Sequence, residues 1–490
     1  MLTTAEIKLL IDNDATSEKK RFAAVGQRYY EGEHDILKNR LFYFNTDGNL
    51  VEDTARSNIK ICHPFFTELS DQLTAHLLSF IENPIRAREN VDGLQEHLDN
   101  YFDEDFWSEI GDLISGAYNK GFEYIYGYKG KENKLKFQCA DSMGVVEVRA
   151  NDTDDGCEYI IYWYIDRIDK GRKKIKRIQV WSETETYYYV QVDSGEIQLD
   201  KTAENNPRPH VIYTDEKTGQ KMGYPLGYIP FWRLDNNKKQ FSGLKPIKGL
   251  IDDYDLMQCG LSNNLVDFDT PLHVVSGFQG DDLTELQQNL KTKKIVGVDA
   301  EGGVSVQTVD IPYQARQAKA KDDENNIYKF GMGLNTYGLK DTAQTTNALI
   351  AAAYELLNIK TNNLERRLKP VLKDIVKVVL AEINAENGTD YQLKDVTIFK
   401  DVERSTMTNK TENIANEKVV AEIQQIRINT ILNVAVSIGD EKALKLICEQ
   451  LDLDFEEVKS QIDAMKEDQP LSDAKAALEG ALINNEPPEE

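Results

Sequence analysis

Leu244-Lys245-Pro246-Ile247-Lys248-Gly249-Leu250-Ile251-Asp252-Asp253-Tyr254 opens the stretch that decides the fold, which runs on to residue 387. Pro246 suits the first turn of a helix, where a missing N–H costs nothing. Ile247, Leu250, Ile251, Tyr254, Met257, Leu261, Leu265 and Phe268 then recur at steps of three and four and form one apolar stripe. Asp252, Asp253, Asp255, Asn263 and Asp267 lie mostly off that stripe, and Pro271 ends the helix. Short apolar runs follow: His273-Val274-Val275, Ile295-Val296-Gly297-Val298 and the alternating Val304-Ser305-Val306-Gln307-Thr308-Val309 after Gly302-Gly303. They predict a small β unit with a Gly-Gly turn, and one short helix over 281–290 between its strands.

Pro312 opens a second helix over 313–330, which is unusually polar. It carries Arg316, Lys319, Lys321, Asp322, Asp323 and Glu324 and few large apolar residues before Ile327. A helix this poor in apolar surface bridges solvent or packs against a partner. Gly331 and Gly333 are expected to terminate it, and 335–344 reads as a polar loop. Residues 345–387 then keep a helical period through Leu349, Leu356, Leu364, Leu372, Val379 and Ile383, a span on the order of 60 Å at ~1.5 Å per residue. Pro370 predicts a kink, because its ring removes one intrahelical bond and crowds the preceding turn. Gly388 stops the helix.

The remaining chain completes an α+β pattern. Two short helices over 4–31, a hairpin over 42–51 turning at Thr46-Asp47-Gly48-Asn49, a helix over 58–82 and an amphipathic stretch over 91–119 come first. Strands follow over 122–128, 135–139, 145–148, 159–167, 174–181 and 186–192, with a loop over 201–223 and a last strand over 228–234. A strand over 395–399 precedes residues 401–490, which are helical and acidic, with 20 Asp plus Glu against 9 Lys plus Arg. The final stretch, ending Glu486-Pro487-Pro488-Glu489-Glu490, reads as a loose tail.

With 490 residues the chain can form two to four domains. A net charge of −25 argues against electrostatic affinity for nucleic acid or an anionic membrane. No apolar run approaches ~18 residues, so no transmembrane helix is expected. The start, Met1-Leu2-Thr3-Thr4-Ala5-Glu6, lacks a basic region followed by an apolar core, so no secretory signal is expected. The five dispersed cysteines fit reduced thiols in a cytosolic setting.

No catalytic constellation emerges. Gly331-Met332-Gly333 follows a polar helix rather than a strand and lacks the spacing of a nucleotide loop. Asp152-Thr153-Asp154-Asp155-Gly156 lacks the remaining ligands of a calcium loop and reads as a surface turn. The six histidines lie far apart and show no ligand spacing. No catalytic residue, metal site or cofactor is expected.

Five stretches resemble the portal proteins of tailed bacteriophages, in the branch of long, non-contractile-tailed phages of Gram-positive bacteria. They are Arg28-Tyr29-Tyr30-Glu31-Gly32-Glu33-His34-Asp35-Ile36-Leu37, Ile81-Glu82-Asn83-Pro84-Ile85, and the passage from Gly116-Ala117-Tyr118 to Tyr126. The fourth is Leu226-Gly227-Tyr228-Ile229-Pro230-Phe231 with Asn236-Asn237 and Leu250-Ile251-Asp252-Asp253-Tyr254. The fifth, Thr345-Thr346-Asn347-Ala348-Leu349, opens the long helix.

The resemblance implies a portal-type α+β subunit with long helices, an antiparallel β-rich wing, a small α/β clip and a helical crown. Residues 1–243 would be the wing, 244–270 and 312–333 the stem helices, 271–311 the clip and 334–346 the tunnel loop. Residues 347–400 would be the long kinked helix and a wing strand, 401–470 the crown and 471–490 a flexible acidic tail. It implies a homo-oligomeric ring of about twelve subunits at one capsid vertex of the virion, assembled in the bacterial host cytoplasm. That ring would pass double-stranded DNA during packaging and ejection, with weak, non-specific contact. Asn335, Thr336, Lys340 and Gln344 of the tunnel loop and Lys319 and Lys321 of the stem would face the DNA. Phe278, Gln279, Asp281, Asp282, Lys291 and Lys293 of the clip would meet the large terminase subunit and later a head-completion or adaptor protein. Major capsid protein and scaffold are further implied partners, and no membrane is. The rivals are a metal-dependent DNA-processing enzyme, which needs converging carboxylates, and another ring-forming capsid connector without motor docking.

Overall fold

The computed structural model describes residues 1–54, 56–89, 91–129, 134–149, 156–203, 205–214, 221–268, 272–278, 286, 298–307, 312–336, 347–400, 404, 410–451, 455–456 and 458–459. The chain divides into two compact units: Met1–Thr342 with Ala351–Thr406, and Ala343–Ile350 with Met407–Glu490.

The first unit starts with α1 (Thr4–Ala15) and α2 (Glu18–Tyr30). Thr3 and Glu6 form a capping box on α1, satisfying N–H groups that a helix end leaves open. A hairpin follows, β1 (Phe42–Phe44) and β2 (Leu50–Glu52), then α3 (Phe65–Leu77), β3 (Ile85–Ala87), α4 (Leu94–Asp99) and α5 (Glu104–Lys120). The helix expected over 58–82 is therefore shorter. Pro64 stands at the start of α3, and residues 57–63 form a strap whose backbone N–H groups are used elsewhere. The stretch 91–119 is likewise two helices, because Asp103 caps a new start by accepting the Phe106 N–H at 2.9 Å.

Strands β4 (Phe122–Lys129) and β5 (Leu135–Ala140) pair antiparallel, and β14 (Phe231–Asp235) joins the other edge of β4. A larger antiparallel sheet runs in the order β10-β9-β8-β7-β6, with β11 also on β9. Its strands are β6 (Val145–Arg149), β7 (Cys157–Asp169), β8 (Lys173–Trp181), β9 (Glu185–Val192), β10 (Gln198–Leu199) and β11 (Arg208–Pro209). The expected loop over 201–223 instead contains β11 and the hairpin β12 (Val211–Thr214) with β13 (Lys221–Tyr224). Ile7 and Ile11 of α1 cover one face of the large sheet against Val146, Ile161, Ile178 and Val180.

Next come α6 (Lys248–Phe268), β15 (Leu272–Phe278), β16 (Val298–Gln307), α7 (Tyr313–Gly331), α8 (Asn347–Asn387) and β17 (Val396–Ile398), which pairs with β3. The expected Gly-Gly turn does not form. Gly302 and Gly303 lie inside β16, and a Cβ on Gly302 would stand 2.5 Å from the Ser276 carbonyl oxygen. The glycine permits a close strand approach at the bulge between Ser276 and Phe278. α8 is one helix of 41 residues that continues through Pro370.

The main core gathers Phe66, Leu69 and Leu73 of α3, Ile110, Leu113 and Ile114 of α5, Ile247 and Ile251, Ile327 of α7, and Leu364, Leu368, Leu372, Ile375 and Val379 of α8. Each such fully buried side chain contributes ~1.5–3 kcal/mol relative to exposure. In the second unit α9 (Lys410–Ile438) turns into α10 (Asp440–Leu451) through Gly439, whose φ of +87° favours glycine.

Candidate functional site

The polar residues of α6 that lie off its apolar stripe have a common use. Asp255, Cys259, Asn263 and Asp267 are four apart, so they form one column up the helix. The strap meets that column with alternate backbone N–H groups. Those of His63, Ile61, Ile59 and Ser57 donate to Asp255 Oδ1 (2.9 Å), Cys259 Sγ (3.2 Å), Asn263 Oδ1 (2.6 Å) and Asp267 Oδ1 (3.1 Å). Two residues of extended chain rise ~6.6 Å, and four helical residues rise ~6.0 Å, so the two repeats stay in step over four bonds. The intervening side chains face the other way. Asn58 Nδ2, Lys60 Nζ and Cys62 Sγ donate to the carbonyls of Asn39 (3.2 Å), Leu37 (3.3 Å) and Gly32 (3.0 Å).

At the lower end of the column two histidines converge on one carboxylate. His34 Nδ1 lies 2.6 Å from Asp255 Oδ2 and His63 Nδ1 lies 2.7 Å from Oδ1. Asp255 and His34 are fully buried. Burial pushes the Asp255 carboxyl up, but the hydrogen bonds from His34 and His63 outweigh it and hold the group below the usual carboxylate range. His34 stacks on Tyr29 with ring centroids 4.5 Å apart. The Tyr29 hydroxyl bonds Asp252, and Lys248 donates to both Asp35 and Asp252 at 2.7 Å. Burial opposes ionisation of Asp35, yet Lys248 and Arg28 hold its carboxyl well below the ordinary range. The segment 28–35 is thus bound to the first turns of α6. The six histidines show no ligand spacing in the sequence. The fold brings two of them together across sequence gaps of about thirty and two hundred residues to Asp255, which no spacing rule reaches.

α7 packs on α6, with Ala320 and Asp323 buried along it, and joins the main core through Ile327 and Tyr328. The Tyr328 hydroxyl donates to Glu68 of α3 at 2.7 Å. α7 ends at Gly331, as the glycines there led one to expect, but no glycine takes the capping conformation. The residue in the left-handed conformation is Met332, at φ +53°. Cβ atoms on Gly331 and Gly333 would come within 2.6 and 2.0 Å of Leu69, so both glycines admit α3. Gln72 of α3 then fixes the chain leaving α7, accepting from the Leu334 N–H and donating to its carbonyl, each at 2.9 Å.

Lys319 is exposed on α7, but its ammonium sits between Asp253 of α6 (2.6 Å) and Asp323 (2.5 Å), and those hydrogen bonds raise its pKa. Lys321 points to the opposite, exposed side with Asp322, Asn325 and Lys329. Asn335 and Thr336 are half-buried where the chain leaves α7. Asn335 Nδ2 is 3.4 Å from Glu324 Oε1. Phe278 ends β15 beside Val298 of β16. Lys340, Gln344, Gln279, Asp281, Asp282, Lys291 and Lys293 lie outside the described residues. The structure therefore joins Lys319 to α6. The α6 column went unread in the sequence, although acceptor side chains at steps of four were its visible trace.

Among the described residues no group of three or more His, Cys, Asp or Glu is arranged to hold a metal ion. No described helix is long and apolar enough to cross a membrane. The polar clusters given above tie the chain's own elements together within an α+β fold. The chain belongs to the family of phage portal proteins of the SPP1 Gp6-like type, whose family model matches residues 10–469. It is 26% identical to a portal protein of Bacillus phage SPP1 over 349 residues, covering 71% of this chain and 67% of that one. It is 23% identical to a portal protein of Clostridium phage phiCD119 over 443 residues, covering 85% of this chain and 91% of that one. A chain of the neck of a native GTA particle overlaps 79% of this chain and 89% of its own length, at 11% identity and a TM-score of 0.35. Portal proteins are structural channel proteins of the capsid vertex, not enzymes, and the family implies an oligomeric ring with capsid and terminase partners.

Proposed function

We propose that this chain is the repeating subunit of a ring of about twelve copies, through which double-stranded DNA is packaged and ejected at one capsid vertex. The large terminase subunit docks on the ring first and a head-completion or adaptor protein later, while major capsid protein and scaffold surround it. The family match over residues 10–469 carries this conclusion. In this reading 1–243 is the wing, 244–270 and 312–333 the stem, 271–311 the clip and 334–346 the tunnel loop. Residues 347–400 supply the long helix and a wing strand, 401–470 the crown and 471–490 the tail. Phe278, Gln279, Asp281, Asp282, Lys291 and Lys293 are then the docking residues of the clip.

The outer side of α7 supports the stem assignment. A helix with Lys321, Asp322, Asn325 and Lys329 outward and few buried apolar residues gains its remaining contacts from neighbouring copies. Electron-microscopy class averages of the purified full-length chain, with its mass in solution, test the reading. The expected result is a closed ring with a central hole. A monomer or dimer that stays so with scaffold and capsid protein present overturns it.

Weak DNA contact follows from the charge. A net −25 chain repels phosphate, and Lys319 is already shared by two carboxylates. Asn335, Thr336 and Gln344 offer only neutral polar groups, which leaves Lys321 and Lys340 as the attractive points. The combined Lys319→Ala, Lys321→Ala, Lys340→Ala chain should assemble particles that retain severalfold less DNA. Unchanged packaging and retention would exclude a role for these lysines.

A further inference from the structure

The hairpin β1–β2 is built without a surface to rest on. Its register pairs Phe42 with Glu52, Tyr43 with Val51 and Phe44 with Leu50. Alternation puts Phe42, Phe44 and Leu50 on one face and Tyr43 and Val51 on the other. All five are exposed, Phe44 at 73% and Leu50 at 60%. An isolated two-stranded ribbon is marginal in water, yet this one is carefully closed. Asn45 accepts from the Asp47 and Asn49 N–H groups at 3.1 and 2.8 Å, and the Asp53 N–H donates to the Leu41 carbonyl at 2.8 Å. The strap begins just after it, and its first bond, from the Ser57 N–H to Asp267, ties the chain that follows the hairpin to the end of α6, where Leu265 and Val266 are also exposed.

We propose that this hairpin is the arm by which each copy of the chain holds the next copy around the ring. The inference rests on the portal reading, because a closed ring gives every copy a neighbour on each side. A ring contact is heterologous, so a projecting element on one copy meets a different surface on the next. A ribbon apolar on both faces suits insertion into a seam between two bodies, where a single flat surface would leave one face wet. Charge favours a like copy as occupant. Two chains of −25 repel, so they must meet where charge is balanced. Here Arg40 pairs with Glu52 and Arg56 with Asp53, which leaves Asp47 as the one acidic residue of the hairpin not paired with an arginine. Aromatic side chains cover ~150–250 Å² each, so three of them supply a large share of the ~800 Å² that one partner gives a stable contact.

The test places a photo-crosslinking p-benzoylphenylalanine in the position of Tyr43 in the full-length chain. Irradiated rings should yield a covalent product of two chains, with the hairpin joined to a peptide of another copy. The Phe42→Ser, Phe44→Ser, Leu50→Ser variant should need at least about tenfold more protein to form rings. Its dilute chain should keep its thermal midpoint within about 2 °C, since the sites are on the surface. Rings that form without a chain-to-chain product, or a triple variant that assembles at the unchanged concentration, overturn the proposal. So does a product formed only with the capsid shell protein. If the unsubstituted chain forms no ring at all, the portal reading fails instead.

Discussion

Asp255→Ala is expected to lower the stability of the first unit by roughly 3–5 kcal/mol, the usual result of removing one partner from a buried charged cluster. The carboxylate accepts from His34 Nδ1, His63 Nδ1 and the His63 N–H, so its loss strands three donors at once. It also opens the strap at the end that leads into α3. Thermal unfolding of the dilute chain measures the effect, and Asp255→Asn should recover part of it because one donor can still be met. The pH dependence has a definite sign. The folded carboxyl titrates below its unfolded value, so its contribution is present above about pH 4 and lost as pH falls through the folded pKa. The gap between the native and Asp255→Asn chains should therefore close on acidification. A Tm drop under about 2 °C for Asp255→Ala would show that the column of four bonds is not under load.

Lys120→Met should be comparably damaging, through a different cluster. Lys120 closes α5 against β4 and the turn that follows β5, where it pairs with the buried Glu123 and with Asp141 at 2.7 Å. Lys20 of α2 reaches the same place, donating to the Val145 carbonyl at 2.8 Å. Burial lifts the Glu123 carboxyl to about 7 even with Lys120 beside it. An acid raised on folding binds more protons folded than unfolded, so stability declines as pH rises from about 4.5 towards 7. Without Lys120 the carboxyl rises further and the decline extends upward. The expected loss is roughly 3–5 kcal/mol at pH 8 and distinctly less at pH 5. Lys120→Met with Glu123→Gln should restore much of it, because the uncompensated charge is gone. Equal losses at pH 5 and pH 8 would assign the effect to packing alone.

Much of the architecture was legible because it is written in periods. The stripe from Ile247 to Phe268 and the run from Leu349 to Ile383 announce α6 and α8 at 3.6 residues per turn. The tyrosine- and valine-rich alternation of 159–192 announces the large sheet. The family was legible in the stretches at 28–37 and 226–255, and the structure gives a reason for their content. Tyr29, His34 and Asp35 meet Lys248, Asp252 and Asp255, so two segments remote in sequence form one polar contact. The strap was not legible. Its bonds use backbone N–H groups, which every residue type but proline carries. The helix expected over 58–82 also covered it.

The sequence by itself determined the class, the long helices, the antiparallel sheets and the polar character of α7, because these follow from local periodicity and composition. Only the tertiary structure decided that His34 and His63 share Asp255, that Lys319 is shared by two carboxylates, that Gly331 and Gly333 make room for Leu69, and that the 42–52 hairpin stands bare. Each depends on which remote surfaces come within about 3 Å of one another, the reach of a hydrogen bond. That distance is set by the packing of α3, α6 and α7 together.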